Sequence, residues 1–283
     1  MEETGLDIQE LEYIIDHAFR EDIGEGDITT NNLVPETTSA KASMTAKADG
    51  IIAGLPIAEM VFKKLDPNFN WNPKFTDGDA IKKGDLIVEM EGSFRAILTG
   101  ERLALNLMQR MSGIASETAK YVAEVRGTKV QILDTRKTVP GLRSLDKYAV
   151  KAGGGTNHRI GLYDLVMIKD NHIKLAGGIT PAVKQIRKAV PSTIKVEVET
   201  TNLNEVREAI SAGADIIMLD NMNNEMMTEA VGIINGKAIS EASGNMNLSR
   251  LKGVAATGVD CISIGALTHS VIALDISQNI IQS

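Results

Sequence analysis

The chain has 283 residues, 43% hydrophobic and 24% charged, an ordinary globular composition with room for one large domain or two smaller ones. A formal net charge of −7 excludes polyanion binding by the overall field, so no nucleic-acid partner is expected and any cationic site must be local. The single cysteine, Cys261 in the apolar run VDCISIG, excludes a disulfide framework and a cysteine-based zinc site, and reads as a small core residue. The opening MEETGLDIQE is acidic and lacks a signal-peptide core, and no apolar run approaches the ~18 residues of a membrane span; a soluble, cytoplasmic protein is expected.

In chain order, a helical pattern covers Ile8 to Arg20. Residues 43–47 and 50–54 then read as short strands, and 58–64 as a short helix. In FTDGDAIKKGDLIVEMEG, residues 75–92, two glycine-centred turns separate short strands. GDAIKKGDL is similar to the turns of biotinyl and lipoyl carriers, but the following VEMEG offers no lysine to hold such a cofactor, so a structural β module is expected. A long helical pattern runs from Thr99 to Val125, with Gly113 as a candidate kink.

Beyond it, apolar strands at 130–133, 165–168, 194–198, 216–219, 238–239 and 261–264 alternate with helical patterns at 142–152, 181–189, 203–212, 224–234 and 248–257. Such alternation predicts a parallel sheet with helices outside it. Because no G-x-G-x-x-G follows a strand, a β/α-barrel is preferred to a doubly wound sheet, incomplete because six strands are read and not eight.

In a β/α-barrel, function collects at the C-terminal strand ends. Those positions read Asp134-Thr135-Arg136-Lys137, Lys169-Asp170-Asn171-His172, Glu197 and Glu199, Asp220-Asn221, Glu241-Ala242-Ser243-Gly244-Asn245, and Gly265-Ala266. Residues 134–174 hold eight Lys and Arg against four Asp, a cationic segment in an acidic chain. Lys147 and Lys151, one helical turn apart, are expected to be solvated. Arg136, Lys137, Arg159 and Lys169 stand in loops or at strand ends, where guanidinium and ammonium groups suit carboxylate or phosphate. The GGGTNHR run, ending in His158-Arg159, reads as a mobile ligand clamp. Ser243-Gly244-Asn245 and Gly265-Ala266 precede helices, where free N–H groups and the helix dipole favour phosphate. Glu199 and Asp220 between these cations and loops suit ribose hydroxyls or Mg²⁺. His17 and His269 read as peripheral, and no His, Asp or Glu spacing suggests a catalytic zinc.

The segments GERLALNLMQRMSGIAS, DTRKTVPGLRSLDKYAVKAGGGTNHRIGLYDLVMIKDNH, VEVET, IMLDN, EASGN and ISIGALTHS resemble quinolinate phosphoribosyltransferases. The resemblance runs from EDIGEGDITT at residue 21 to Ser270. It implies an α/β protein with an N-terminal α/β sandwich over residues 1–113, joined by 271–283, and an incomplete, TIM-like β/α-barrel over 114–270. It implies the transfer of the phosphoribosyl group of phosphoribosyl pyrophosphate to quinolinate, in de novo NAD biosynthesis, by a dimer or a multiple of dimers. By resemblance, Arg102 reaches into a neighbouring subunit's site, and Arg136, His158, Arg159 and Lys169 hold the two carboxylates of quinolinate. Lys137, Glu199 and Asp220 attend the donor and its Mg²⁺, held directly or through water. Ser243, Gly244, Asn245, Gly265 and Ala266 take the 5′-phosphate, and Thr135 and His269 belong to the same motifs. Two other readings stay open: a paralogue with a different anionic acceptor, and a non-catalytic anion-binding module. The Arg102, Arg136, His158, Arg159 and Lys169 set suits a dianion, and a sensor has no use for Glu199 and Asp220 between two anion sites.

Overall fold

A computed structural model describes residues 5–281. The chain divides into two compact units. One holds the chain up to Ala119, Thr138–Gly154 and the chain from Ser270 onward; the other holds Lys120–Lys137 and Gly155–His269. Among the described residues no helix is long and apolar enough to cross a membrane.

The first unit begins with α1 (Ile8–Asp22), whose N-cap Asp7 accepts from the Gln9 N–H and whose inner face buries Leu11, Ile14 and Ile15. Next come α2 (Ile28–Leu33), capped by Asp27, then β1 (Ser39–Ala46), β2 (Gly50–Ile51) and α3 (Leu55–Leu65). After them are β3 (Asn70–Pro73), β4 (Ala80–Ile81), β5 (Leu86–Ser93) and α4 (Phe94–Glu124). On β1, Ala42, Met44 and Ala46 alternate into the core, as a sheet with one solvated face requires. No side chain of its own caps α3; the Asp77 carboxylate does so from a distant turn, accepting from the Gly54 and Leu55 N–H groups at 2.8 and 3.0 Å. Phe62 on α3 stacks on Phe69, with ring centroids 4.9 Å apart.

Helix α4 starts five residues before the apolar pattern that predicts it, because the Ser93 hydroxyl accepts from the Ala96 N–H and caps it there. It runs through Gly113 without interruption. A Cβ at that position would meet the Ile272 carbonyl oxygen, so close packing and not a kink calls for glycine.

The second unit and its connections follow as β6 (Gln131–Leu133), α5 (Arg143–Ala152), β7 (Val166–Ile168), α6 (Asp170–Ala176), α7 (Ile179–Ala189) and β8 (Val196–Thr200). Then come α8 (Leu203–Ala212), β9 (Ile216–Asp220), α9 (Asn224–Ile234), β10 (Ile239–Ser243), α10 (Leu248–Ala256), β11 (Cys261–Ser263) and α11 (Ala266–His269). The last element, β12 (Ile276–Ile281), pairs antiparallel with β1 in the first unit's sheet, ordered β12-β1-β5-β3. α5 belongs to the first unit, and its buried face includes Lys147, only 2% exposed, which corrects the expectation of a solvated lysine. That face turns inward because its neighbour Asp146 is fully buried and takes two hydrogen bonds from Arg110, at 2.8 and 2.9 Å.

The six parallel strands of the second unit run β6-β11-β10-β9-β8-β7, an incomplete TIM-like barrel. Asn202, Asn223 and Asn247 cap α8, α9 and α10 with their side-chain oxygens, stopping each helix short of the preceding strand end.

Candidate active site

Every strand of this sheet contributes to one cavity of about 720 Å³ at its C-terminal rim, within the ~300–1,000 Å³ typical of small-molecule sites. From the end of β6 come Thr135, Arg136 and Lys137. Thr135 accepts the Lys137 N–H at 3.0 Å, and Thr268 donates to the Lys137 carbonyl at 2.9 Å, which together fix that turn.

The GGGTNHR segment is anchored, contrary to the expectation of a mobile clamp. Thr156 bridges to Leu133 on β6, its N–H donating to the Ile132 carbonyl at 2.8 Å, and the His158 N–H donates to the fully buried Asp134 carboxylate at 2.8 Å. The segment therefore extends the sheet beyond β6. Arg159 then bonds the Leu165 carbonyl through Nη1 at 3.1 Å, just ahead of β7. Burial, and then the nearby Arg136 charge, lower the Arg159 pKa.

His158 itself is nearly enclosed. Its Nε2 lies 3.2 Å from Glu197 Oε2 on β8 and 3.3 Å from Glu241 Oε2 on β10. Burial alone would lower the imidazole pKa, but the two carboxylates outweigh it and raise the pKa to about 10. The Glu197 carboxyl is pushed up, first by burial.

On the far side, Lys169 at the end of β7 places Nζ 4.0 Å from Glu199 at the end of β8. Burial, and then the Asp220 charge at the end of β9, raise the Glu199 pKa. Asn221 donates to Asp220 at 2.8 Å and accepts from Asn245 at 3.4 Å, linking the ends of β9 and β10. Asn221 and Asn245 hold φ of 55° and 48°, the left-handed region that asparagine tolerates best among non-glycine residues. Gly244, at φ 97°, packs where a Cβ would meet the Asn221 side chain. Gly265 faces the Lys137 stem, 2.7 Å from where its own Cβ would stand.

The cavity thus gathers Thr135, Arg136, Lys137, His158, Arg159, Lys169, Glu199, Asp220, Ser243, Gly244, Asn245, Gly265 and Ala266, with His269, read from sequence as peripheral. Arg102 is not among the lining residues; it is exposed on α4 in the first unit. α10 begins at Leu248 and α11 at Ala266, where the sequence places them; the Arg250 N–H is taken by Asn247, so the 243–245 loop itself meets the cavity as a turn. Met167, Met218 and Met246 also line the cavity and were invisible in sequence, where methionine in a strand or loop reads as core.

Two family descriptions cover the chain: the quinolinate phosphoribosyl transferase N-terminal domain over residues 27–112 and the C-terminal domain over 114–279. It is 45% identical over 271 residues to a probable carboxylating nicotinate-nucleotide pyrophosphorylase of Bacillus subtilis, covering 96% of this chain and 93% of that one. It is 44% identical over 290 residues to a decarboxylating quinolinate phosphoribosyltransferase of Nicotiana tabacum, covering 96% and 82%. The crystal structure of NadC from Streptococcus pyogenes superposes with a TM-score of 0.94 at 40% identity, covering 98% of this chain and 99% of that one. The chain belongs to the quinolinate phosphoribosyltransferase family.

Proposed function

We propose that the cavity transfers the phosphoribosyl group of phosphoribosyl pyrophosphate to quinolinate, releasing pyrophosphate and CO₂ and leaving nicotinate mononucleotide for NAD biosynthesis. The observation that carries this reading is the division of one cavity into a cationic side (Arg136, His158, Arg159, Lys169) and a glycine-lined side (Ser243, Gly244, Asn245, Gly265), with Glu199 and Asp220 alongside. The cationic side matches the two carboxylates of quinolinate, and Met167 and Met218 offer an apolar surface to its ring. The glycine-lined side accepts a sugar phosphate, because backbone N–H groups approach closely where no Cβ intervenes.

Mg²⁺ fits Glu199 and Asp220: both offer hard oxygens, and the Asp220 charge, which adds to burial in raising the Glu199 pKa, is what a dication relieves. Bound there, it would supply positive charge to the donor's pyrophosphate. Lys137, on the neighbouring rim, adds its ammonium charge as the C1′–O bond breaks and pyrophosphate leaves with the electron pair. The pyridine nitrogen forms the N–C1′ bond with its lone pair, in a reaction governed by alignment and electrostatics and needing no protein nucleophile. The quaternised nitrogen then accepts the charge left at the adjacent ring carbon as its carboxylate departs as CO₂. A proton fills that carbon, while the cationic side chains keep hold of the remaining carboxylate.

Arg102, exposed on α4, serves the cavity of a second subunit, so the working unit is a homodimer in the cytoplasm. The test is turnover with phosphoribosyl pyrophosphate and either quinolinate or nicotinate, with and without Mg²⁺. Nicotinate mononucleotide should form from quinolinate, require Mg²⁺, and form at least a hundredfold more slowly from nicotinate. Equal use of nicotinate, or of neither acid, would reject the assignment of the cationic side.

A further inference from the structure

Glu197 and Glu241 are not rim residues. Both side chains are almost completely buried, 0% and 2% exposed, on strands separated by β9. Burying an unpaired carboxylate is costly, and a second like charge nearby adds to the cost. An apolar pair of similar volume would fill the same space more stably. In a cavity for a dianion the cost is twofold, since two negative charges beneath the floor also repel the substrate. What offsets both is the ring of His158, whose Nε2 stands between the two carboxylates at 3.2 and 3.3 Å.

At 3.2 and 3.3 Å the two carboxylate oxygens stand within ion-pair distance of Nε2, and the three groups also form a convergent set of metal-capable side chains. The backbone reinforces it: the His158 N–H is tied to buried Asp134 and residue 156 to β6, so the ring enters from a fixed point. The Arg159 N–H donates to Nδ1 at 2.7 Å, so the ring is held at both nitrogens, with Nε2 turned to the two carboxylates. Of the other ionisable groups around this cluster, Arg159 acts on Glu197, the Asp134 carboxylate accepts the His158 N–H, and the Cys261 thiol is pushed up by burial and then by Glu241, Asp260 and Glu197.

We infer that Glu197 and Glu241 are positioning residues for the phosphoribosyl acceptor: they hold the His158 ring at Nε2 from below while the Arg159 N–H holds Nδ1, so that the ring and Arg159 meet the acceptor from a fixed place. This rests on His158 being a quinolinate ligand. Glu197 lies behind the cavity lining and Glu241 reaches it with a side chain only 2% exposed, so both act through the histidine.

Steady-state kinetics on Glu197→Gln, Glu241→Gln, His158→Gln and the Glu241→Gln/His158→Gln double variant test it. Each single variant should raise the KM for quinolinate at least tenfold and leave that for phosphoribosyl pyrophosphate within twofold. The double variant should be no worse than His158→Gln alone, because a positioning residue has no effect once its client is gone. If His158→Gln leaves the quinolinate KM unchanged, the ligand role of the histidine fails and the inference with it. If His158→Gln raises that KM but the glutamate variants do not, or if both substrates' KM values rise together, the positioning role alone is overturned. Should a glutamine variant fail to fold, the wild-type protein decides. ¹⁵N-histidine spectra should show a His158 Nε2–H protected from exchange; rapid exchange, or a stoichiometric metal ion retained on these three residues, overturns the inference.

Discussion

His158 shows how far one residue's role depends on neighbours that sequence spacing does not reveal. Its pKa rises from 6.5 to about 10 in the fold, against the effect of burial, because of Glu197 and Glu241. A raised pKa means the folded state binds the proton more tightly than the unfolded chain. The stabilisation is therefore complete below pH 6.5 and is lost as pH climbs through about 10. The stability difference between the wild type and His158→Gln, measured by urea unfolding, should be flat below that window and shrink across it; a constant difference would contradict the charged cluster. At Gly244 the left-handed φ and the nearby Asn221 side chain leave no room for a Cβ. Gly244→Ala should raise the KM for phosphoribosyl pyrophosphate at least tenfold with little change for quinolinate. The rim residues were legible because strand ends can be read from apolar runs. Glu197 and Glu241 were legible as polar strand residues but not as a pair, since their meeting depends on β8 and β10 both facing the barrel interior across β9.

Among the elements, those with a clear apolar period were the readable ones. α8, α9 and most barrel strands fall where the pattern puts them, because each buries one continuous face. α6 has no buried residue and is set by its ends, with the Lys169 N–H donating to His172 Nδ1 at 3.0 Å, so no periodicity announces it. β12 buries only Ile276 and pairs as an edge strand with β1, a long-range partner that local pattern cannot supply. Gly113 in α4 gives a test at this scale. Alanine would gain about 1 kcal/mol in helix propensity, but its Cβ meets a backbone carbonyl that has no rotamer to swing away. Overpacking of that kind costs about 1–3 kcal/mol, so Gly113→Ala should lower the Tm by several degrees; a raised Tm would show that the C-terminal segment yields.

For the whole molecule, the division of labour follows the two units: the barrel unit holds the entire cavity, while Arg102 stands on the other. If Arg102 serves a second subunit, Arg102→Ala and Lys137→Ala homodimers should each be inactive, and a mixture should regain up to about a quarter of wild-type turnover by subunit exchange, one intact site forming in each hybrid. No recovery after verified exchange would place Arg102's role within its own chain. The family was legible in sequence because its motifs sit in long contiguous segments, whereas assembly leaves no such signature in one chain. Bond-breaking at quinolinate is tested most directly by following its carboxyl carbon. With quinolinate labelled in the carboxyl group next to the ring nitrogen, labelled CO₂ and nicotinate mononucleotide should appear in equal amounts, and only when phosphoribosyl pyrophosphate is present. Labelled CO₂ without the donor, or a mononucleotide that keeps the label, would contradict it.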